Sequence, residues 1–389
     1  MDEFDNPYRP GAGTPPPALI GRNELIDRFG VALRRAMTGR PGKSVMLIGL
    51  RGVGKTVLLN RFVEIGELEN LEVGFIEAPE SGGFIRPLVG RLRTSLLRLD
   101  RGPVERSVRR ALGVLKSFTY ALPDGSAITI DVDALVGEGD SGDLSSDLTD
   151  VLVSAGQAAL ARRTGILIAI DEVQYLSEDE FAALITALHR TTQLNLPVVV
   201  VGAGLPQLPG LAGDAKSYSE RLFEFPEVGP LSVPDSAAAI ELPALDTGVD
   251  FAPPALARIV TEAQGYPYFL QEWGYHVWNR APASPITLRD VEDAVPGVRD
   301  HLDRNFFLVR FDRLTPREKE YLRAMAMLGK GPHRSGDIAA ELGVKVESVA
   351  PRRSGLIAKG MVYSPAHGET AFTVPLFDQF MLRAMPSAS

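Results

Sequence analysis

The chain is 389 residues long, 45% hydrophobic and 23% charged, the composition of a soluble globular protein with two or three domains of roughly 150 residues each. Its net charge of −8 argues against a protein that coats nucleic acid non-specifically, and the absence of cysteine excludes disulfides and thiolate metal sites. No apolar run nears the roughly 18 residues a bilayer requires, the acidic start MDEFDNPYRPG lacks a signal-peptide pattern, and none of the five histidines stands at zinc spacing, so a cytoplasmic protein without a metal cage is expected.

Residues 1–19 are rich in Pro and Gly, lack periodicity and read as an extended arm. From Asn23 to Met37, apolar residues including Leu25, Ile26, Phe29 and Leu33 recur at helical spacing. Ser44 to Ile48 is a short buried strand running into a glycine loop, behind which Leu58, Leu59, Phe62 and Ile65 mark an amphipathic helix. A strand is expected over Leu71 to Glu77 and a helix over Ile85 to Leu99. Residues 118–135 read as a β-hairpin, FTYAL and ITIDVDAL flanking Pro-Asp-Gly-Ser-Ala, with an acidic glycine-rich loop after it. Helix then follows from about Leu148 to Arg162, strand from Ile166 to Ile170, helix from Glu178 to His189 and strand from Val198 to Val201. This alternation predicts an α/β fold, a parallel sheet wrapped by helices, with the hairpin inserted in it.

After Pro230 only helices are expected, near Ser236 to Leu242, Pro254 to Gln264, Tyr268 to Trp278 and Leu288 to Phe307. Thr315-Pro316-Arg317-Glu318 is a capping box with proline at the first helical position, and it opens a last segment. There, Ser335 is expected to cap a short helix from Asp337 to Leu342, and a third helix runs to about Lys359. Met361 to Tyr363 and Thr370 to Val374 read as two strands, closed by a helix from Phe377 to Met385. The expected division is an arm at 1–19, a nucleotide domain at 20–229, a helical lid at 230–312 and a tail domain at 313–389. The tail carries 11 Lys and Arg against 7 Asp and Glu, while the remainder carries 30 against 42.

The loop GLRGVGKT fits G-x-x-x-x-G-K-[ST] with Gly49, Gly54, Lys55 and Thr56. Glycines let successive backbone N–H groups turn inward to cradle phosphate, so Gly49, Arg51, Gly52, Val53, Gly54, Lys55, Thr56 and Val57 are the expected nucleotide contacts. The helix behind adds the partial positive charge of its N-terminus. Lys55 would bridge the β- and γ-phosphates of ATP, and the Thr56 hydroxyl would ligate Mg2+. ILIAIDEVQYL carries Asp171 to the carboxyl edge of the sheet, where it would hold the magnesium, and Glu172 would activate the attacking water.

Together these motifs resemble the AAA+ and STAND branches of P-loop ATPases, in particular origin-recognition and archaeal-type ATPases with a winged-helix tail. LIGRNELIDRF looks like their N-terminal box, through Gly21, Arg22 and Glu24, and the resemblance implies that Leu19 and Ile20 flank the adenine. Gly265-Tyr266-Pro267 looks like the Gly-x-Pro motif of STAND proteins, which places Pro267 over the base. The family also places a polar sensor at the end of the fourth strand, where this chain has Gly202, Ala203 and Gly204. The sensor is therefore expected to be absent or supplied by Thr191 or Thr192, with hydrolysis slow or stimulated by a partner. Arg221 falls where relatives place an arginine finger that reaches a neighbouring subunit, which implies self-association and a role in catalysis. The tail resembles a winged helix, whose third helix would present Lys345, Arg352, Arg353 and Lys359 to double-stranded DNA. Two readings stand at this point: a DNA-associated AAA+ switch controlled by ATP and ADP, or a STAND-like switch whose tail docks protein.

Overall fold

The computed structural model describes residues 1–11, 13–40, 42–100, 106–122 and 132–386. At its centre lie strands β1 (Ser44–Ile48), β2 (Glu72–Glu77), β3 (Ile166–Asp171), β4 (Val198–Gly204) and β5 (Phe223–Glu224). They form one 5-stranded sheet in the order β2-β3-β4-β1-β5, with every pairing parallel. Helices α1 (Asn23–Met37) and α2 (Lys55–Leu68) cover one face. The other face is covered by α3 (Ile85–Leu99), α4 (Arg106–Ala121), α5 (Leu144–Ala161) and α6 (Glu178–Gln193). The two-residue period of a strand divides β3 between them: Ile166, Ile168 and Ile170 face α3 to α6, while Leu167 and Ala169 face α1 and α2. Covered on both sides, every residue of β3 is buried, as parallel strands require. Two short helices, α7 (Leu208–Ala215) and α8 (Ser219–Leu222), lead from β4 to β5.

The hairpin expected at 118–135 is corrected in part. Residues 118–121 end α4, whose buried Val108, Leu112, Leu115 and Phe118 recur at three- and four-residue steps. The helical period becomes visible only when the reading starts ten residues upstream of FTYAL. Residues 132–135 are irregular, and 123–131, the centre of that reading, lie outside the described residues. The next helix starts earlier than expected, because the Asp143 carboxylate caps α5 by accepting from Ser146 N at 2.8 Å.

Beyond the sheet come α9 (Val233–Leu245), α10 (Pro253–Ala263), α11 (Pro267–Arg280) and α12 (Leu288–Leu302). The last runs into a π-helical turn over Asp303–Leu308 and a final turn, α13 (Val309–Phe311). The C-terminal segment consists of α14 (Pro316–Met327), β6 (His333–Arg334), α15 (Ser335–Glu341), α16 (Ala350–Ala358), β7 (Val362–Tyr363), β8 (Glu369–Phe372) and α17 (Phe377–Ala384). Its antiparallel sheet has the order β6-β8-β7, which adds one strand to the two expected and is consistent with a winged-helix arrangement. Thr315 and Glu318 do close a capping box, but Ser335 does not cap α15; its hydroxyl donates to Gly368 O at 3.3 Å. The lid and this segment share one apolar core, in which Phe307 stacks on Phe380 with ring centroids 5.2 Å apart. No helix among the described residues is long and apolar enough to cross a membrane.

The described part of the arm is irregular, as expected, yet residues 1–9 are tied to the lid. Tyr8 is 2% exposed, and its hydroxyl donates to Ile240 O at 2.6 Å. The indole N–H of Trp278 donates to Asp2 O at 2.9 Å, and Arg9 N to the Gln271 carboxamide at 3.0 Å. The Tyr8 ring lies flat against the backbone of Gly274, where a Cβ would come within 2.5 Å of it. Truncating a buried aromatic of this kind costs about 3–5 kcal/mol, here charged to seating the arm rather than to the sheet. Tyr8→Ala is therefore expected to speed amide hydrogen exchange over residues 2–9 on the order of a hundredfold while far-UV circular dichroism stays unchanged. Equal exchange rates would show that the ring does not anchor the arm.

Candidate nucleotide site

The carboxyl edge of the sheet is where the loops after β1, β3 and β4 converge. The turn from β1 into α2 needs a left-handed backbone at Gly52 (φ 78°) and Gly54 (φ 90°), which glycine adopts without strain. Gly49 is held by packing as well, since a Cβ there would collide with Val228 O. The Arg22 guanidinium donates to Val53 O at 3.2 Å and to Gly229 O at 2.5 Å, pinning the loop from outside.

Lys55 opens α2 and turns back beneath the loop, donating to Gly49 O at 2.9 Å and Leu50 O at 2.8 Å. Burial pulls its pKa down to about 8, against the opposing pull of Glu172 and Asp171. The Thr56 hydroxyl donates to Asp171 Oδ2 at 2.7 Å, so the two groups expected to share a magnesium ion are already in contact across α2 and β3. Burial also pushes the Asp171 carboxyl above its ordinary value, the Thr56 hydrogen bond opposing it.

Glu172 follows β3 in a left-handed conformation (φ 54°), and its N–H donates to Asp171 Oδ1 at 2.9 Å. Its carboxylate is held by two neighbours. Gln174 donates its amide N–H to Oε2, and Arg51 Nη1 lies 3.4 Å from Oε1. The Gln174 carboxamide oxygen in turn accepts from Leu205 N at 3.1 Å, immediately after β4. Gln174 therefore supplies the polar link at the β4 end that the strand's own residues lack. Gly202 and Gly204 fit there because a Cβ on either would press into Met46, Val173 or Gln174.

These groups border a cavity of about 350 Å3, within the range of small-ligand sites. Its floor is Arg51, Gly52, Gly54, Lys55, Thr56 and Val57, with Asp171 and Glu172 at one end. Pro267, Tyr268 and Gln271 of α11 form the lid side, and Asn305, Phe306 and Arg310 reach in from the π-helical turn and α13. Pro267 thus lines the cavity from the lid side. Sequence reasoning missed Arg310, whose guanidinium lies 4.3 Å from the Phe306 ring centroid and whose pKa burial lowers to about 10, with Arg51 adding to the effect. It missed the arm too, which supplies Arg9, Gly11, Gly13, Thr14 and Pro16 to the wall. Only the π-helical turn, a feature frequent at functional sites, would have marked the Arg310 region, and no local pattern announces it.

Other expected positions fall elsewhere. Leu19 and Ile20 do not line the cavity; Ile20 packs against the lid core. Val53 is buried behind the loop. Thr191 and Thr192 are ruled out as sensors by topology: they end α6 just before β4 begins, at the opposite edge of the sheet, and the Thr191 hydroxyl donates to Leu188 O. Arg221 is exposed on α8 beside β5, outside its own chain's cavity. In the C-terminal segment Lys345 is exposed, but Arg353 donates to Thr370 Oγ1 at 2.9 Å, Ser364 Oγ at 2.6 Å and Glu369 O at 2.9 Å. Lys359 donates to Glu318 at 2.7 Å and Arg313 O at 3.0 Å, and the Arg352 side chain, 19% exposed, pairs with Glu320 at 3.7 Å. Arg353 and Lys359 are structural braces of their own domain and not free groove contacts.

Residues 18–201 match the model of the AAA ATPase domain. Those residues are similar to that domain, and the chain has the P-loop ATPase fold. Residues 304–381 match a domain of unknown function, DUF8462, which begins inside the π-helical turn and not at 313. Among solved structures, the Walker-type ATPase PABY2304 of Pyrococcus abyssi is similar over 93% of this chain and 96% of its own, with a TM-score of 0.60 and 15% identity. The RuvB Holliday junction branch migration motor of Thermotoga maritima aligns over 90% and 92% at TM-score 0.44 and 16% identity. The Orc1 protein of Aeropyrum pernix, solved in complex with DNA, aligns over 95% and 94% at TM-score 0.44 and 19% identity. No curated protein matches. The P-loop ATPase fold is what PABY2304 shares with the chain.

The geometry of the ATPase domain fits a nucleoside triphosphate with a divalent cation. Lys55, satisfied only by loop carbonyls, is a buried cation poised at the cavity floor, and the Thr56–Asp171 pair offers oxygen ligands of the kind Mg2+ takes. When bound, the magnesium ion neutralises phosphate charge. The lowered Lys55 pKa carries a sign: above pH 8 the nucleotide-free protein loses the ammonium proton it needs for phosphate. ATP affinity is therefore expected to be level below pH 8 and to fall by up to about tenfold per pH unit above it. A fluorescent ATP analogue titrated from pH 7 to 9.5 checks this, and a flat profile would refute it. Lys55→Ala should abolish measurable binding, whereas Glu172→Gln should keep binding and slow turnover by about 10²–10⁴-fold; equal turnover would remove Glu172 from the base role.

Proposed function

We propose that this protein is an ATP-driven conformational switch, hydrolysing ATP slowly and using the bound nucleotide to set how the lid and C-terminal segment sit on the P-loop. One observation carries the reading: the phosphate loop is hydrogen-bonded to both. Gly52 O accepts from Tyr268 N of α11 at 3.2 Å, and Arg51 N donates to Thr373 O, just beyond β8, at 3.0 Å. A loop that closes around phosphate cannot shift without moving these partners. In this reading Lys55 and Arg310 hold the phosphates, Thr56 and Asp171 hold the magnesium, and Glu172 takes the proton of the attacking water. The Arg51 and Gln174 contacts keep the Glu172 carboxylate engaged, which supports slow turnover. Arg221, exposed near the sheet edge, would serve a neighbouring subunit if copies assemble through nucleotide sites.

The braced Arg353 and Lys359 favour a C-terminal segment that docks on protein, in the first place on its own ATPase domain, over one that reads DNA. Hydrogen–deuterium exchange on the full chain, with ADP and with a non-hydrolysable ATP analogue, tests the switch. The expected result is a nucleotide-dependent change in protection at residues 51–57, 266–271 and 359–374 together. Changes confined to 51–57 would reduce the protein to a nucleotide binder without a switch.

A further inference from the structure

A second polar constellation lies in the lid, one helical turn from the cavity wall. Glu272 and His276 stand four residues apart on one face of α11, and His301 comes from α12. The Glu272 Oε2 atom lies 3.6 Å from His276 Nε2 and 3.5 Å from His301 Nε2, and the two imidazole rings have centroids 4.8 Å apart. Glu272 is 2% exposed. Its Oε2 and the His276 Nε2 are buried with no hydrogen-bond partner, although protein interiors rarely leave such atoms unpaired. Two imidazole nitrogens and a carboxylate oxygen converge here at separations too long for good hydrogen bonds, with two of the three atoms buried and unpaired, an arrangement a cation relieves.

We propose that Glu272, His276 and His301 bind one borderline divalent transition ion, Zn2+ by ligand chemistry, which cross-links α11 to α12. Two imidazoles disfavour Mg2+ and Ca2+, which take oxygen ligands, and suit zinc. Zinc bonds of about 2.0–2.1 Å in a tetrahedron separate ligand atoms by about 3.4 Å; two ligand pairs already stand at 3.5 and 3.6 Å. The third pair lies within 4.8 Å, a gap closed by turning one ring. Side-chain exposures of 23% for His276 and 39% for His301 leave an entry path and room for a water as fourth ligand. The surroundings fit as well: the Tyr268 hydroxyl hydrogen-bonds Glu272, and the Asn305 amide nitrogen lies 3.1 Å from His301 Nδ1 and 3.3 Å from its Nε2, so that a small turn of the carboxamide frees Nε2 for the ion and lets the amide oxygen accept from Nδ1. Tyr268 and Asn305 both line the nucleotide cavity, so the ion would fix two of its wall residues.

The site is tested on the untagged full chain, stripped with chelator and free of nucleotide, by titration with Co2+ and displacement with Zn2+. The expected result is one equivalent of Co2+ giving the visible bands of a tetrahedral nitrogen and oxygen site, removed stoichiometrically by Zn2+, and a rise in Tm on adding Zn2+. His301→Gln, at the most exposed of the three side chains, should weaken affinity about a hundredfold or more with the fold intact by circular dichroism. His276→Gln with His301→Gln should abolish the bands. Asp171→Asn should leave them unchanged, which separates this site from a cation bound at Thr56 and Asp171. Absent bands in the wild type, bands that persist in folded His301→Gln, or bands lost in Asp171→Asn would each overturn the proposal.

Discussion

The turn between β1 and α2 must satisfy two opposed demands, and much of the molecule is arranged around that conflict. Its inward N–H groups have to stay unpaired so that phosphate can take them, while an unsupported loop with left-handed residues at Gly52 and Gly54 would lose its shape. The chain resolves this by bracing the loop everywhere except the inward face. Lys55 holds the carbonyls of Gly49 and Leu50, Arg22 holds Val53 O, Tyr268 N reaches Gly52 O, and Thr373 O takes the outward N–H of Arg51. The braces come from the loop itself, from the residue that precedes α1, from the lid and from the C-terminal segment. The loop's rigidity and its mechanical connection to the rest of the chain thus have the same origin.

The residues around Glu172 show a related economy. A carboxylate at the end of a buried strand needs polar partners, and here they are Gln174 from the next turn and Arg51 from the P-loop. Gln174 also reaches Leu205 N, so one side chain joins the ends of β3 and β4 to the acidic group. The glycines of β4 exist to let this happen, since any side chain at Gly204 would occupy the space of the Gln174 carboxamide. A strand end that lacks a polar residue in sequence is therefore still polar in space.

Much of the fold was legible in the sequence because its elements are short and strongly periodic. β1, α1 and α3 begin and end where the spacing of their apolar residues places them. The P-loop residues and Asp171 were legible too, since their chemistry demands particular residue types at fixed separations along the chain. FTYAL misled because five residues fit a strand and a helix equally well, and the arbitrating period lay upstream in α4. Arg353 and Lys359 misled in another way: a basic residue on a helix reads as a free charge until its acceptors, Glu369 O and Glu318, arrive from elsewhere.

What the sequence determined by itself is the chemistry of the P-loop, the acidic pair after β3 and the parallel sheet that brings them together, because these follow from local period and local residue type. Tertiary structure decided the rest of the cavity wall. Arg9 and Thr14 lie far in sequence from Arg310, yet the arm and the π-helical turn both close on Lys55. The histidines make the same point most plainly. Spacing along the chain shows no metal-binding pattern, because His276 and His301 are separated by a helix end, a loop and most of α12. Only the packing of α11 against α12 turns two scattered imidazoles and a buried carboxylate into a cluster.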